Sequence, residues 1–210
     1  RTEISLRATL ALDTDHVDSA RHSLGLGIDR QRESFRNNDP AFTYDPSQMI
    51  PQSRSLTGVA LEYRGQLAAG LDLQLGLRRD LNDRFSDFTT YSAALSWSLP
   101  ESGTRLHGSI GTGVQNPSLF QQFGFVPDAF EGNPDLVPEQ SRGWDIGVEQ
   151  ALWDGRALAS AVYFDNRLTN RIISTPGSAP GISRPDNASG VSRRRGVELG
   201  LEADLTDRLM

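Results

Sequence analysis

Apolar and polar side chains alternate along most of this chain, and a period of two is what a β-strand with unlike faces requires. Ile4, Leu6, Ala8, Leu10 and Leu12 alternate with Glu3, Ser5, Arg7 and Thr9. Leu24, Leu26 and Ile28 alternate with Gly25, Gly27 and Asp29, and Thr57, Val59, Leu61 and Tyr63 with Gly58, Ala60, Glu62 and Arg64. The clearest run sets Leu71, Leu73, Leu75 and Leu77 against Asp72, Gln74, Gly76 and Arg78. Tyr91, Ala93, Leu95, Trp97 and Leu99 share a face, followed by Leu106, Ile110, Thr112 and Val114. Trp144, Ile146 and Val148 oppose Asp145, Gly147 and Glu149; Val197, Leu199, Leu201, Ala203 and Leu205 oppose Glu198, Gly200, Glu202 and Asp204. Residues 157–167 read as a strand whose faces cannot be assigned. Helical periodicity is nearly absent. The pattern predicts an all-β fold of about nine antiparallel strands, several near the roughly 9–11 residues that a tilted strand needs to cross a bilayer.

The connections follow a second rule. Short links at 13–19, 64–69, 100–103 and 153–156 alternate with longer ones at 33–53, 115–141 and 168–191, and an intermediate link falls at 81–87. Thr206-Asp207 begins another short turn, and Asp154-Gly155 is a strong hairpin signal. A soluble sandwich has no reason to place every long loop at one end. A membrane barrel does, with short periplasmic turns and long extracellular loops. On that reading odd-numbered strands run toward the periplasm and even-numbered ones outward.

A small soluble barrel such as a lipocalin is the competing architecture. The polar rows exclude it. They hold Glu3, Arg7, Glu62, Arg64, Asp72, Arg78, Glu149, Glu198 and Glu202, and so many charges cannot fill a dry core. The polar row therefore faces water or a polar plug, and the apolar row faces lipid.

Composition narrows the classes further. A hydrophobic share of 37% is ordinary for a soluble protein, but alternation hides a lipid-facing row inside such an average. No run of 18 apolar residues is present, which excludes a transmembrane helix. The net charge of −6 argues against a nucleic-acid partner. Cys is absent, so there is no thiolate metal site or disulfide framework. All 21 basic residues are Arg, for which a GC-rich genome is sufficient explanation. The chain starts at Arg1 without an initiator Met or leader and stops at the beginning of a turn, so it is expected to be a piece of a longer protein.

Three stretches carry a resemblance. Gly111-Thr-Gly-Val-Gln-Asn-Pro-Ser-Leu-Phe-Gln-Gln-Phe-Gly124 looks like a strand end running into a Pro-Ser/Thr-Leu segment. Gly132-Asn-Pro-Asp-Leu-Val-Pro-Glu-Gln-Ser141 resembles a Gly-Asn-Pro-x-Leu-x-Pro-Glu signature and precedes Trp144-Asp-Ile-Gly-Val-Glu149. Ala161-Val-Tyr-Phe-Asp-Asn-Arg167, then Asn187 and Arg195-Gly-Val-Glu-Leu199, come next in the expected order. Together they are similar to the TonB-dependent receptors of the bacterial outer membrane, in loop style most like siderophore and cobalamin receptors. The resemblance covers 111–205 well and 1–110 through strand pattern alone. It implies a plugged barrel of about 22 strands, of which residues 1–210 are part of the barrel domain. It also implies import of a scarce metal chelate or vitamin, driven by the TonB complex through a plug lying outside this sequence.

Within the signature, Asn133-Pro134 and Val137-Pro138 deny helix, and Glu139 and Ser141 are placed to bond nearby backbone, which predicts a rigid loop-to-strand staple. Phe120, Phe123, Phe125 and Phe130 crowd one long loop, and clustered exposed aromatics mark contact surfaces. They are the candidate ligand contacts, with packing of the loop on itself as the alternative. His16, His22 and His107 lack metal spacing. Asp128, Asn133, Asp135 and Glu131 lack the regular Ca²⁺ spacing. No nucleophile elbow is present. Catalytic residues, metals and cofactors are therefore not expected. Strand parity puts Tyr91 and Trp144 at the loop ends and Tyr63 and Trp97 at the turn ends of the lipid face, as interfacial girdles. It also puts Arg30, Arg32, Arg79, Arg193 and Arg195 on that face at its outer end, where they are expected to contact lipopolysaccharide. The rival functions are a passive porin, which would lack the signature, and an adhesin or enzyme at the outer rim.

Overall fold

The computed structural model describes residues 1–13, 21–37 and 50–204. His16, Leu205 and the Thr206-Asp207 turn lie outside the described residues. Nine long strands form one antiparallel sheet: β1 (Thr2–Ala11), β2 (His22–Phe35), β3 (Gln52–Ala68), β4 (Leu71–Asn82), β5 (Phe88–Leu99), β6 (Thr104–Gln115), β9 (Glu139–Leu152), β10 (Ala157–Thr169) and β13 (Val191–Ala203). Every strand in the sheet pairs with its neighbour in that sequence, a simple up-and-down meander. The intervening numbers belong to the long loops. These carry α1 (Leu119–Phe123), β7 (Phe125–Val126), β8 (Phe130–Glu131), β11 (Ile172–Pro176) and β12 (Ser183–Asn187).

The pairing register joins the apolar rows into one face. Leu6 lies opposite Ile28, Ile28 opposite Val59, Leu61 opposite Leu77, Leu77 opposite Tyr91, and Trp97 opposite Leu106. Leu106 then faces Val148, Val148 faces Ala161, and Ala161 faces Leu199. No described residue covers this face: Leu75 is 42% exposed and Leu77 52%. The polar face is concave, and a cavity of about 1130 Å³ lies against it, lined in part by Arg7, Glu62, Arg64, Asp72, Arg105 and His107. Apolar outside and polar inside is the reverse of a soluble barrel. It is what lipid on one side and water or a polar plug on the other demand.

Pairing also shows how far the strands lean. One continuous row of partners runs Leu10, Leu24, Tyr63, Leu75, Ala93, Ile110, Trp144, Asp165, Arg195. It begins near the short-turn end of β1 and finishes near the long-loop end of β13. Tyr63 and Trp144 thus share a row although one lies toward the short-turn end of its strand and the other toward the long-loop end of its own. A barrel wall with tilted strands and staggered register does this.

One boundary differs from the alternation pattern, and pairing assigns the faces that it left open on β10. Strand β3 runs to Ala68, so the predicted 64–69 link shrinks to Ala69-Gly70. A register shift between Gln66 and Ala68 breaks the alternation there and disguises the strand as turn. On β10, Ala157, Ala159, Ala161 and Tyr163 face outward and Leu158, Val162 and Phe164 inward. Both rows are apolar, which is why parity alone did not separate them. The Trp153–Arg156 turn closes as predicted: Arg156 N donates to Trp153 O at 3.1 Å. Asp154 and Gly155 have φ of 55° and 87°, the left-handed values that Asp and Gly tolerate best.

Candidate functional site

The lumen wall neutralises its charges across strands. Arg78 lies flat over Gly58, where a Cβ would come within 1.9 Å of its guanidinium. From there it bonds Asp29 on β2 at 2.6 and 3.0 Å and Asp80 on its own strand at 2.8 Å. Arg105 reaches both oxygens of Glu149 at 3.1 Å, and Arg64 donates to Glu62 at 2.8 Å. His107 stands on the same wall, 3.8 Å from Glu149. His22 is on the other face, with Nδ1 2.8 Å from the Tyr63 hydroxyl at the short-turn edge. Among the described residues no group of three or more His, Cys, Asp or Glu is gathered as a metal site.

The long loops at 116–138 and 170–190 are not separate. Ser118 caps α1: its Oγ accepts from Gln121 N at 3.0 Å while Gln121 Oε1 accepts from Ser118 N at 2.8 Å, a reciprocal box. β7 and β8 then form a small hairpin, and β8 runs parallel to β12 through Phe130 and Ser183. β12 pairs with β11, so segments of two different hairpins build one four-stranded sheet.

The Gly132–Glu139 signature is the clasp of this sheet. The Asn133 side chain, 4% exposed, donates to Pro185 O at 3.0 Å and accepts from Asp135 N at 3.1 Å and Arg184 Nη2 at 3.0 Å. Leu136 is 2% exposed. Asn187 holds Val137 at both ends, accepting from its N at 2.9 Å and donating to its O at 3.0 Å, and it also donates to Asn170 O at 2.7 Å. Glu139 accepts from Ile172 N at 2.7 Å. Ser141, expected beside Glu139 as a backbone partner, approaches Gly113 O at 3.5 Å. The staple predicted from the prolines is thus a junction between two loops, and Asn187, fifty residues away in sequence from Val137, is its other half.

Gly132 shows how tight the junction is. A Cβ there would lie 2.7 to 2.8 Å from the backbone of Gln122 and Phe123. Gly132→Ala is expected to push α1 off the signature, at a local cost of about 1–3 kcal/mol for overpacking. Faster amide exchange or proteolysis across 119–132 in the full-length protein would report it, and unchanged protection would refute the close approach.

The four aromatics lie at one end of this assembly. Phe120 stacks on Phe130 with centroids 4.7 Å apart and meets Phe35 of β2 edge-on at 6.0 Å. Arg84 lies 5.2 Å from the Phe123 ring centre, and Asn37 Nδ2 donates to Phe125 O at 3.0 Å. The loop that leaves β6 therefore reaches across the mouth to β2 and the 83–87 link. Phe120 remains 43% exposed. Phe35, Phe123 and Phe125 line a cavity of about 290 Å³ with Gln122, which is 3% exposed and whose Oε1 has no hydrogen-bond partner among the described residues. Sequence reasoning missed Phe35, Arg84 and Gln122. The first two come from other hairpins, and Gln122 is a polar residue inside Phe-Gln-Gln-Phe whose burial no pattern foretells.

An open sheet with an uncovered apolar face, a charged lumen wall and knitted loops at one end is a segment of a transmembrane β-barrel. The sequence-family model for TonB dependent receptor-like β-barrels matches residues 2–209, and the chain belongs to that family. Solved structures agree in fold. The siderophore receptor PirA from Pseudomonas aeruginosa superposes with a TM-score of 0.77 at 23% identity, covering 98% of this chain and 37% of that one. A variant of the ferric enterobactin receptor PfeA from Pseudomonas aeruginosa, in complex with enterobactin, gives 0.74 at 21%, covering 98% and 34%. The copper transporter OprC gives 0.68 at 19%, covering 97% and 34%. The chain thus spans about a third of the length of these structures.

Proposed function

We propose that this chain forms part of the barrel wall and outer loops of a bacterial outer-membrane receptor that binds and imports a scarce nutrient, a metal chelate or vitamin. Transport is driven by the TonB complex acting on a plug that lies outside this sequence. The observation that carries the reading is the family match over 2–209, reinforced by the knitted loops across the mouth. Solved relatives in fold are named for siderophores, enterobactin and copper, which favours a metal or its chelate. The ligand contacts are assigned to Phe120, Phe123, Phe125 and Phe130. Exposed Phe120 offers a flat apolar surface, and the adjoining cavity adds the Gln122 amide oxygen, which has no partner among the described residues.

The test is a strain in which the full-length receptor is the sole entry route. It is supplied in turn with ferric enterobactin, other ferric siderophores, copper or cyanocobalamin. Growth on one source that requires energy coupling supports the reading. Phe120→Ala with Phe123→Ala is then expected to weaken binding of that source about tenfold or more, the scale of aromatic anchors. Equal, uncoupled passage of all small solutes would instead identify a passive channel.

A further inference from the structure

The outward face carries a charge pattern that nutrient import does not use. On β9, β10 and β13 the register sets Arg142 opposite Arg167 and Arg167 opposite Arg193, three guanidinium side chains in one row on adjacent strands. The next row toward the apolar band is Trp144, Asp165, Arg195. Directly opposed side chains of an antiparallel pair stand about 5 Å apart, and like charges there are destabilising. Guanidinium cannot relieve this by losing its proton. A row of three persists at least cost where anions meet it.

The protein supplies one anion. Asp165 is the sole acid among the outward-facing residues of these three strands. It is 4% exposed, gripped by Arg193 through Nε at 3.0 and 3.1 Å and through Nη2, with Arg167 at 3.8 Å. Four arginines against one carboxylate leave three positive charges in excess. Arg142 has no ion pair or side-chain hydrogen bond among the described residues, and the four arginines are exposed. Just below, the Trp144 and Tyr163 rings pack 5.4 Å apart, and below them come Ile146, Val148, Leu199 and Leu201. Hydrocarbon, aromatic belt, then cations is the order of a lipid interface read outward to its phosphates.

We infer that Arg142, Arg167, Arg193 and Arg195 form a binding site for the phosphate groups of a polyphosphorylated outer-leaflet lipid, lipopolysaccharide. Guanidinium forks bind phosphate oxygens in pairs. The other arginines expected on this face share its parity but are differently set. Arg30 and Arg32 lie opposite Thr57 and Ser55, and Arg79 is met by Asp87 at 3.2 Å and Thr89 at 2.9 Å. They form no ladder. The site therefore gains Arg142 and Arg167, and its centre is the β9–β10–β13 rim.

This inference rests on the outer-membrane placement proposed above. It is tested on the full-length receptor, freed of native lipid and titrated by native mass spectrometry with bis-phosphorylated, mono-phosphorylated and dephosphorylated lipid A. Affinity is expected to fall at each phosphate removed. In the bis-phosphorylated series, Arg142→Gln with Arg167→Gln, which spares the Arg193–Asp165 pair, is expected to lose about tenfold per arginine, the scale of one charge-assisted contact. Arg30→Gln with Arg79→Gln is expected to lose far less. Wild-type receptor that binds all three lipids equally would overturn the site whether or not the variants assemble. Nutrient uptake assayed in parallel would then still stand, separating this failure from failure of the receptor reading.

Discussion

Leu75→Arg in the full-length receptor is expected to cost about 2–4 kcal/mol of stability in a bilayer, the penalty for arginine near the membrane midplane of a barrel. Gln74→Arg, one residue away, is expected to be nearly neutral. The contrast follows from side-chain parity alone. Leu75 lies in the uncovered apolar row between Tyr63 and Ala93. Gln74 is in the lumen row, where its Nε2 already donates to Glu62 at 2.7 Å. A guanidinium at 74 meets that carboxylate and water. At 75 it meets acyl chains and must snorkel or thin the bilayer. Denaturant unfolding from lipid vesicles, with the heat-dependent gel shift of folded barrels as a check on assembly, separates the two variants. Equal stability would mean that the apolar row does not face lipid.

Asn187→Ala is expected to loosen both long loops while leaving the barrel strands in place. The side chain makes three hydrogen bonds to backbone of the other loop and of its own loop's start, at Val137 N, Val137 O and Asn170 O. Removing it strands those groups at about 1–3 kcal/mol, so local opening rises about ten- to a hundredfold. Hydrogen exchange is expected to quicken together across 130–138 and 172–187, since β8 and β12 are partners. Amides of β9 and β10 near the Trp153–Arg156 turn are expected to stay protected. Asn187→Asp keeps the acceptor for Val137 N and loses both donors, so it falls between. Loosening of one loop without the other would refute the shared clasp.

Much of this architecture was legible from side-chain order. Alternation located nine strands because lipid on one face and water on the other impose opposite requirements on neighbouring residues. It failed on β10, where Leu158, Val162 and Phe164 put apolar groups in the lumen row. Arg167 was missed for that reason, and Arg142 because it falls between the predicted loop, which ends at Ser141, and the alternating row that begins at Trp144. The small loop sheet was invisible for another cause. Its strands are two to five residues long, and β11 and β12 contain Pro176 and Pro185, residues that ordinarily argue against a strand. Their pairing is set by contacts between loops, which no local window contains. The aromatic cluster was countable, but its geometry depends on Phe35 and Arg84 from distant hairpins.

The leaning row of partners from Leu10 to Arg195 has a use as a depth gauge. It crosses eight strand-to-strand intervals of about 4.8 Å, about 38 Å measured along the sheet. With strands tilted about 40°, that path climbs about 25 Å, the height of the apolar band of an outer-membrane barrel. A single line of backbone pairing thus passes from one headgroup layer to the other. Successive positions on it differ in immersion by about 3 Å while remaining on one face. Because the chain has no cysteine of its own, one thiol introduced at a time along that line would sample the bilayer's polarity profile in even increments.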